Sequence, residues 1–157
     1  MPYRTYQGSL DATHLRLGVV VSRFNEFITE QLTLGAFKAL DDHGCPHENV
    51  RFVKVPGAWE LPIVAKALAR ECDAIIALGA VIRGETPHFD YVAGAAAEGL
   101  RQVSLETGVP IAFGVLTTDD IQQAMDRAGG KSGNKGAEAA EVAIELANLM
   151  KQLKESR

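Results

Sequence analysis

The sequence predicts a three-layer α/β sandwich: a central four-stranded parallel sheet wrapped by helices on both faces, preceded by an extended N-terminal arm. Two observations carry this prediction. Aliphatic, β-branched segments alternate with stretches of helical periodicity along the whole chain, the pattern of parallel strands joined by crossover helices. Three of the four strand segments are also nearly continuous apolar runs, as strands covered on both faces require. With 157 residues, 46% of them hydrophobic and 23% charged, the chain has an ordinary globular composition and reads as one domain over 1–157.

The elements follow in order. The arm is "PYRTYQG" (2–8), an extended segment suited to pairing with a sheet edge in this subunit or another. "LRLGVVV" (15–21) is the first buried strand. Residues 26–43 repeat apolar positions at Phe27, Ile28, Leu32, Leu34, Phe37 and Leu40 and stop before Gly44, which predicts a helix. "VRFVKV" (50–55) is the second buried strand. A helix over 60–71 follows, with Pro62 tolerated in its first turn. "AIIALGAVI" (74–82) is the third strand, and a long helix over 87–106 ends before Gly108 and Pro110. "IAFGVLT" (111–117) is the fourth. Asp119 and Asp120 favour the start of a helix over 119–128. The last helix, 134–154, carries Val142, Leu146, Leu149, Met150 and Leu153 on one face, with acids early and bases late.

Composition excludes several function classes. A net charge of −4, with both signs interspersed, argues against nucleic acid as a partner. Cys45 and Cys72 have no metal-ligand spacing and read as buried or idle thiols in a reducing compartment. The N-terminus lacks the apolar core of a signal peptide and no run reaches membrane-spanning length, so a cytoplasmic protein with no membrane partner is expected. His14, His43 and His47 read as surface residues, and no cluster suggests a metal.

In an open parallel sheet, ligands bind at the carboxyl ends of the strands. The segments there are "SRFNEF" (22–27), "PGAWEL" (56–61), "RGETPHF" (83–89) and "TTDD" (117–120). Three of the four carry an aromatic residue, which suits a planar ring, and the third suits an anion. Thr86 can cap the following helix and Pro87 fits its first position, leaving free amides that attract phosphate. Gly84 permits close approach and Arg83 adds positive charge. His88 stands in the first turn, where the helix dipole favours the neutral imidazole that can accept and return a proton. The bland alternative is a surface histidine, and position alone leaves the two evenly matched. Trp59 suits stacking on a ring or burial in the core, Glu60 serves a ligand or a helix dipole, and Phe24 is more suggestive because it lies outside the elements.

"RAGGKSGNKG" (127–136) contains Gly-Lys-Ser but fails the phosphate-loop pattern. Met125 stands where that pattern needs glycine, and the stretch follows a helix instead of a strand. It reads as a tight connection between helices. Arg127 is either a phosphate clamp or a cation placed near a helix C-terminus.

Together, "SRFNEFIT", "VPGAWELP", "LGAVIRGETPHFDYV", "PIAFGVLTTDDIQQAMDRAGGKSGNKG" and "EVAIELANLM" resemble, in order and spacing over essentially the whole chain, the 6,7-dimethyl-8-ribityllumazine synthase family. The resemblance implies a flavodoxin-like sandwich and the penultimate step of riboflavin biosynthesis. In that step, 5-amino-6-(D-ribitylamino)uracil condenses with 3,4-dihydroxy-2-butanone 4-phosphate, releasing phosphate and water, without a metal or organic cofactor.

By resemblance, Phe24 stacks on the pyrimidine, Ala58, Trp59 and Glu60 hold the ribityl chain, and Ala80, Val81 and Ile82 border the pyrimidine edge. Glu85 and Thr86 form the phosphate turn and His88 transfers protons. Phe113 and Arg127 are lent by a neighbouring subunit, Arg127 to the phosphate, with Lys135 a helper near the same anion. Two positions depart from the common pattern: Ala80, where many members carry Thr, and Glu85, where a small uncharged residue is usual. An acid beside phosphate is tolerable if its side chain turns away and only its backbone amide contributes. The resemblance also implies a homopentamer with active sites between subunits. The short "GGKSGNKG" connection is similar to that of members building icosahedral shells, and riboflavin synthase is a candidate partner. The rival readings are a non-catalytic flavin- or lumazine-binding protein and a shell protein without catalysis. His88 together with Arg127 favours the enzyme.

Overall fold

A computed structural model describes residues 2–156. Four strands, β1 (Leu17–Ser22), β2 (Val50–Val55), β3 (Ala74–Ile82) and β4 (Ile111–Thr118), form one parallel sheet in the order β2-β1-β3-β4. Five helices flank it: α1 (Glu26–Asp42), α2 (Leu61–Leu68), α3 (His88–Thr107), α4 (Ile121–Arg127) and α5 (Lys135–Glu155).

Because strand side chains alternate between faces, the apolar runs split into two cores. Leu17, Val19 and Val21 of β1 and Ile76 and Leu78 of β3 meet Ile28 and Leu32 of α1 and Ala140 and Ile144 of α5. Val20, Ile75, Ala77 and Val115 meet Leu61 and Ala65 of α2 and Ala96 and Leu100 of α3. Burial on both sides explains why β1 and most of β3 needed no polar positions. The expected three-layer sandwich is present.

The differences from the sequence reading have physical causes. β2 is an edge strand with Arg51, Phe52 and Lys54 exposed, where a buried strand was expected, and its polar alternation is the trace of that position. Among the described residues, the arm pairs with no sheet edge. Instead, the α5 side chains Asn148 and Gln152 donate to the carbonyls of Ser9, Asp11 and Gln7. Gly8 is buried so tightly there that a Cβ would collide with the Glu145 carbonyl. The segment expected as a helix over 60–71 is a 3-10 turn, Ala58–Glu60, followed by the shorter α2.

α3 starts at His88 with Pro87 as its flanking residue, one position later than expected. α4 is shorter than expected, capped by Asp120, whose carboxylate accepts from the Gln123 amide at 2.8 Å. The glycine-rich connection is a small antiparallel hairpin, β5 (Ala128–Gly130) with β6 (Gly133–Asn134). His43 is not a free surface residue: its Nε2 lies 3.1 Å from Glu141 of α5. His14 and His47 are exposed, as expected.

Candidate active site

The carboxyl ends of β1, β2 and β3 open into a cleft of about 630 Å³. Three backbone facts shape its first wall. Beyond β1, the Arg23 amide donates to the Val55 carbonyl at 2.8 Å and the Phe24 amide to the Pro56 carbonyl at 3.1 Å, so the β1 and β2 loops run together. The chain then turns at Asn25, which has φ 61° and ψ 48°, the left-handed region that asparagine tolerates better than most residues. The Asn25 Nδ2 donates to the Ala80 carbonyl at 3.0 Å, tying this corner to the end of β3.

That corner leaves Phe24 71% exposed on the rim, and across from it Trp59 is 61% exposed on the 3-10 turn. Trp59 is therefore not the core residue a lone tryptophan usually is. Ala58 and Glu60 share this wall, and a Glu60 carboxylate oxygen hangs over Gly57. Ala80, Val81 and Ile82 make the floor where β3 leaves the sheet.

The third wall is the turn that opens α3. Gly84, Thr86 and His88 line the cleft, with Phe89 and Val92 behind them. The Thr86 hydroxyl accepts the His88 amide at 3.4 Å, so Thr86 caps α3 from one residue further out than a regular cap. A Cβ at Gly84 would meet nothing within 4 Å, which leaves room beside these amides for a ligand. His88 is exposed and faces open space. Glu85 is exposed and does not line the cleft.

Arg83 corrects an expectation. Its Nε donates to Asp119 at 3.0 Å, a terminal nitrogen lies 3.6 Å from Asp90, and the guanidinium sits 4.4 Å from the Phe89 ring centroid. Its charge faces two carboxylates and not the cleft.

Nine predicted site residues thus meet in one cleft: Phe24, Ala58, Trp59, Glu60, Ala80, Val81, Ile82, Thr86 and His88. Three do not. Phe113 lies on β4, in a depression with Leu100, Arg101, Ser104 and Leu105 of α3. Arg127 and Lys135 line a separate polar hollow of about 400 Å³ with Gln123, Ser132 and Thr118. These are the residues expected to serve a neighbouring subunit, and within one chain they stand outside the cleft.

Sequence reasoning missed Asn25, Pro56, Gly57 and Phe89. Asn25 carried a usable signal, because asparagine just past a strand and before a helix often takes a left-handed turn. Among the described residues, no group of three or more His, Cys, Asp or Glu side chains is placed to hold a metal ion. No described helix is long and apolar enough to cross a membrane.

A cleft at the carboxyl end of a doubly covered parallel sheet, with an aromatic rim and an imidazole at a helix start, defines a flavodoxin-like α/β protein with a ligand-sized opening. The chain belongs to the 6,7-dimethyl-8-ribityllumazine synthase family, whose sequence profile matches residues 14–151. It is 55% identical over 152 residues to the 6,7-dimethyl-8-ribityllumazine synthases of Nitratidesulfovibrio vulgaris strains DP4 and Hildenborough, covering 96% of this chain and 97% of each relative.

Proposed function

We propose that this protein is an enzyme that condenses 5-amino-6-(D-ribitylamino)uracil with 3,4-dihydroxy-2-butanone 4-phosphate to 6,7-dimethyl-8-ribityllumazine, releasing phosphate and water, in riboflavin biosynthesis. The observation that carries this reading is the convergence of Phe24, Trp59, Thr86 and His88 on one cleft from three separate strand ends.

The pyrimidine stacks on Phe24 with its edge along Ala80, Val81 and Ile82. The ribityl chain lies against Ala58, Trp59 and Glu60. The phosphate sits at the turn formed by Gly84, Glu85 and Thr86, where backbone amides at a helix start receive an anion. Glu85 contributes its amide there and turns its exposed side chain away. An amine attacks a ketone to give an imine with loss of one water, phosphate departs, and ring closure expels a second water. Each stage moves a proton within reach of His88, and holding two substrates together removes much of the entropic barrier. No metal or organic cofactor enters this scheme.

Phe113, Arg127 and Lys135 complete the cleft of an adjacent subunit. Their position outside this chain's cleft, the unpaired outer edge of β2 and the arm residues 2–8 support a homo-oligomer, which we place as a pentamer. The short hairpin between α4 and α5 supports assembly of pentamers into an icosahedral shell, with riboflavin synthase as a partner. The chain acts as one domain in the cytoplasm.

The test is product formation followed by absorbance, with the uncatalysed condensation run alongside. A rate well above that blank is expected. A rate equal to it contradicts the proposal.

A further inference from the structure

The turn at residues 83–88 is the most exposed part of the cleft wall: every residue from Arg83 to His88 is exposed. Its backbone has few ties. The Arg83 amide donates to the Thr118 carbonyl at 2.8 Å, extending the β3–β4 pairing one residue past the end of β3. Inside the turn the Thr86–His88 contact is long, at 3.4 Å. Something must nevertheless hold amides and imidazole in register, because small displacements at a reacting centre are costly.

The Arg83 side chain spans the gap. Its Nε donates to Asp119 in the loop after β4, its terminal nitrogen approaches Asp90 in the first turn of α3, and its plane lies over the Phe89 ring. Phe89 lines the cleft immediately after His88 and packs against the second core. One guanidinium therefore joins the end of β3, the start of α3 and the loop leading into α4. Exposed ion pairs of this kind add little to stability, so a structural role alone is a weak account of the arrangement. A planar fork that pairs and stacks at once fixes geometry in a way an ammonium cannot.

We infer that Arg83 is a positioning residue for the phosphate turn and His88, acting through Asp119 and Phe89 and not as a phosphate ligand. This rests on the reading of the cleft given above.

Asp119→Asn separates the two roles by sign. If Arg83 acted only by its charge, neutralising Asp119 would leave more positive potential near the phosphate and lower the KM for the phosphorylated ketone. If Arg83 is a strut, removing its anchor raises that KM. The experiment measures KM for each substrate, kcat, inhibition by inorganic phosphate and thermal midpoint for wild type, Arg83→Met, Arg83→Lys, Asp119→Asn and the Arg83→Met/Asp119→Asn double variant.

The expected result is a rise of roughly tenfold or more in the KM for the phosphorylated ketone, with a fall in kcat, in Arg83→Met. Arg83→Lys recovers little, Asp119→Asn shifts the same way as Arg83→Met, and the double variant is no worse than Arg83→Met alone. The KM for the pyrimidine and the thermal midpoint stay near wild type. A wild type that works while Asp119→Asn binds phosphate more tightly, or while Arg83→Lys is fully active, overturns this inference alone. A wild type no faster than the blank overturns the reading of the cleft and this inference with it.

Discussion

The Asn25 side-chain amide donates to the Ala80 carbonyl across 3.0 Å, joining the loop after β1 to the end of β3. Asn25 holds a left-handed backbone at the same time, so one residue sets both the corner and its tether. Phe24 stands immediately before that corner, and its place on the rim depends on it.

Asn25→Ala is expected to lose both features. A left-handed alanine costs about 1–2 kcal/mol, and the missing bond adds about 1 kcal/mol. Asn25→Gly keeps the backbone and loses only the tether. Pyrimidine KM and thermal unfolding of both variants check this: each should bind the pyrimidine more weakly, with Asn25→Ala the less stable. Equal stability of the two would refute the backbone contribution.

Asn134 caps α5 and ties the hairpin to α1. Its Oδ1 accepts from Gly136 at 2.8 Å and Ala137 at 3.1 Å, and its Nδ2 donates to the Gln31 carbonyl at 3.0 Å. Asn134→Ala should destabilise the protein by about 0.5–2 kcal/mol as a lost helix cap. Denaturant unfolding reads this directly, and an unchanged midpoint would show the cap to be dispensable.

The Cys72 thiol is pushed up to about 11 from an ordinary value of 9.0, first by burial and then by the nearby Glu71 carboxylate. A group whose pKa is raised on folding stabilises the fold below its unfolded value, and that contribution fades as pH rises through the folded value. Stability should therefore decline between about pH 9 and pH 11, and less steeply in Cys72→Ala. Unfolding across that window tests it; parallel curves would remove Cys72 from the account.

If Phe113 and Arg127 serve a neighbour's cleft, two inactive variants should complement each other. His88→Ala spoils its own cleft and Arg127→Ala spoils the adjacent one. Mixed oligomers, made by refolding the two together, contain some clefts with both groups intact. Activity above either parent is expected. No recovery, with mixing verified by mass, would place Arg127 in the cleft of its own chain.

Much of this was legible in the sequence because local and global signals agree. The unbroken apolar runs of β1 and β3 suit doubly covered strands. Three of the four strand-end loops picked out by the sequence, those after β1, β2 and β3, form the cleft, whereas the loop after β4 does not line it. β2 was harder: Arg51 and Lys54 interrupt its run, and only the strand order shows that these side chains flank an edge. Arg83 was misjudged because sequence places it beside the turn that opens α3, whereas its partner Asp119 lies 36 positions away and arrives only by β3–β4 pairing. Phe113, Arg127 and Lys135 could be assigned only by resemblance, since within one chain they stand outside the cleft.

The most direct measurement is the rate of lumazine formation by His88→Ala against wild type, corrected for the uncatalysed reaction, with pyrimidine binding measured in parallel. The account predicts a fall in kcat of about a hundredfold, the usual scale of a lost acid–base group, with pyrimidine affinity nearly unchanged. A variant that turns over at the wild-type rate would contradict it and leave His88 a bystander on the wall of the cleft.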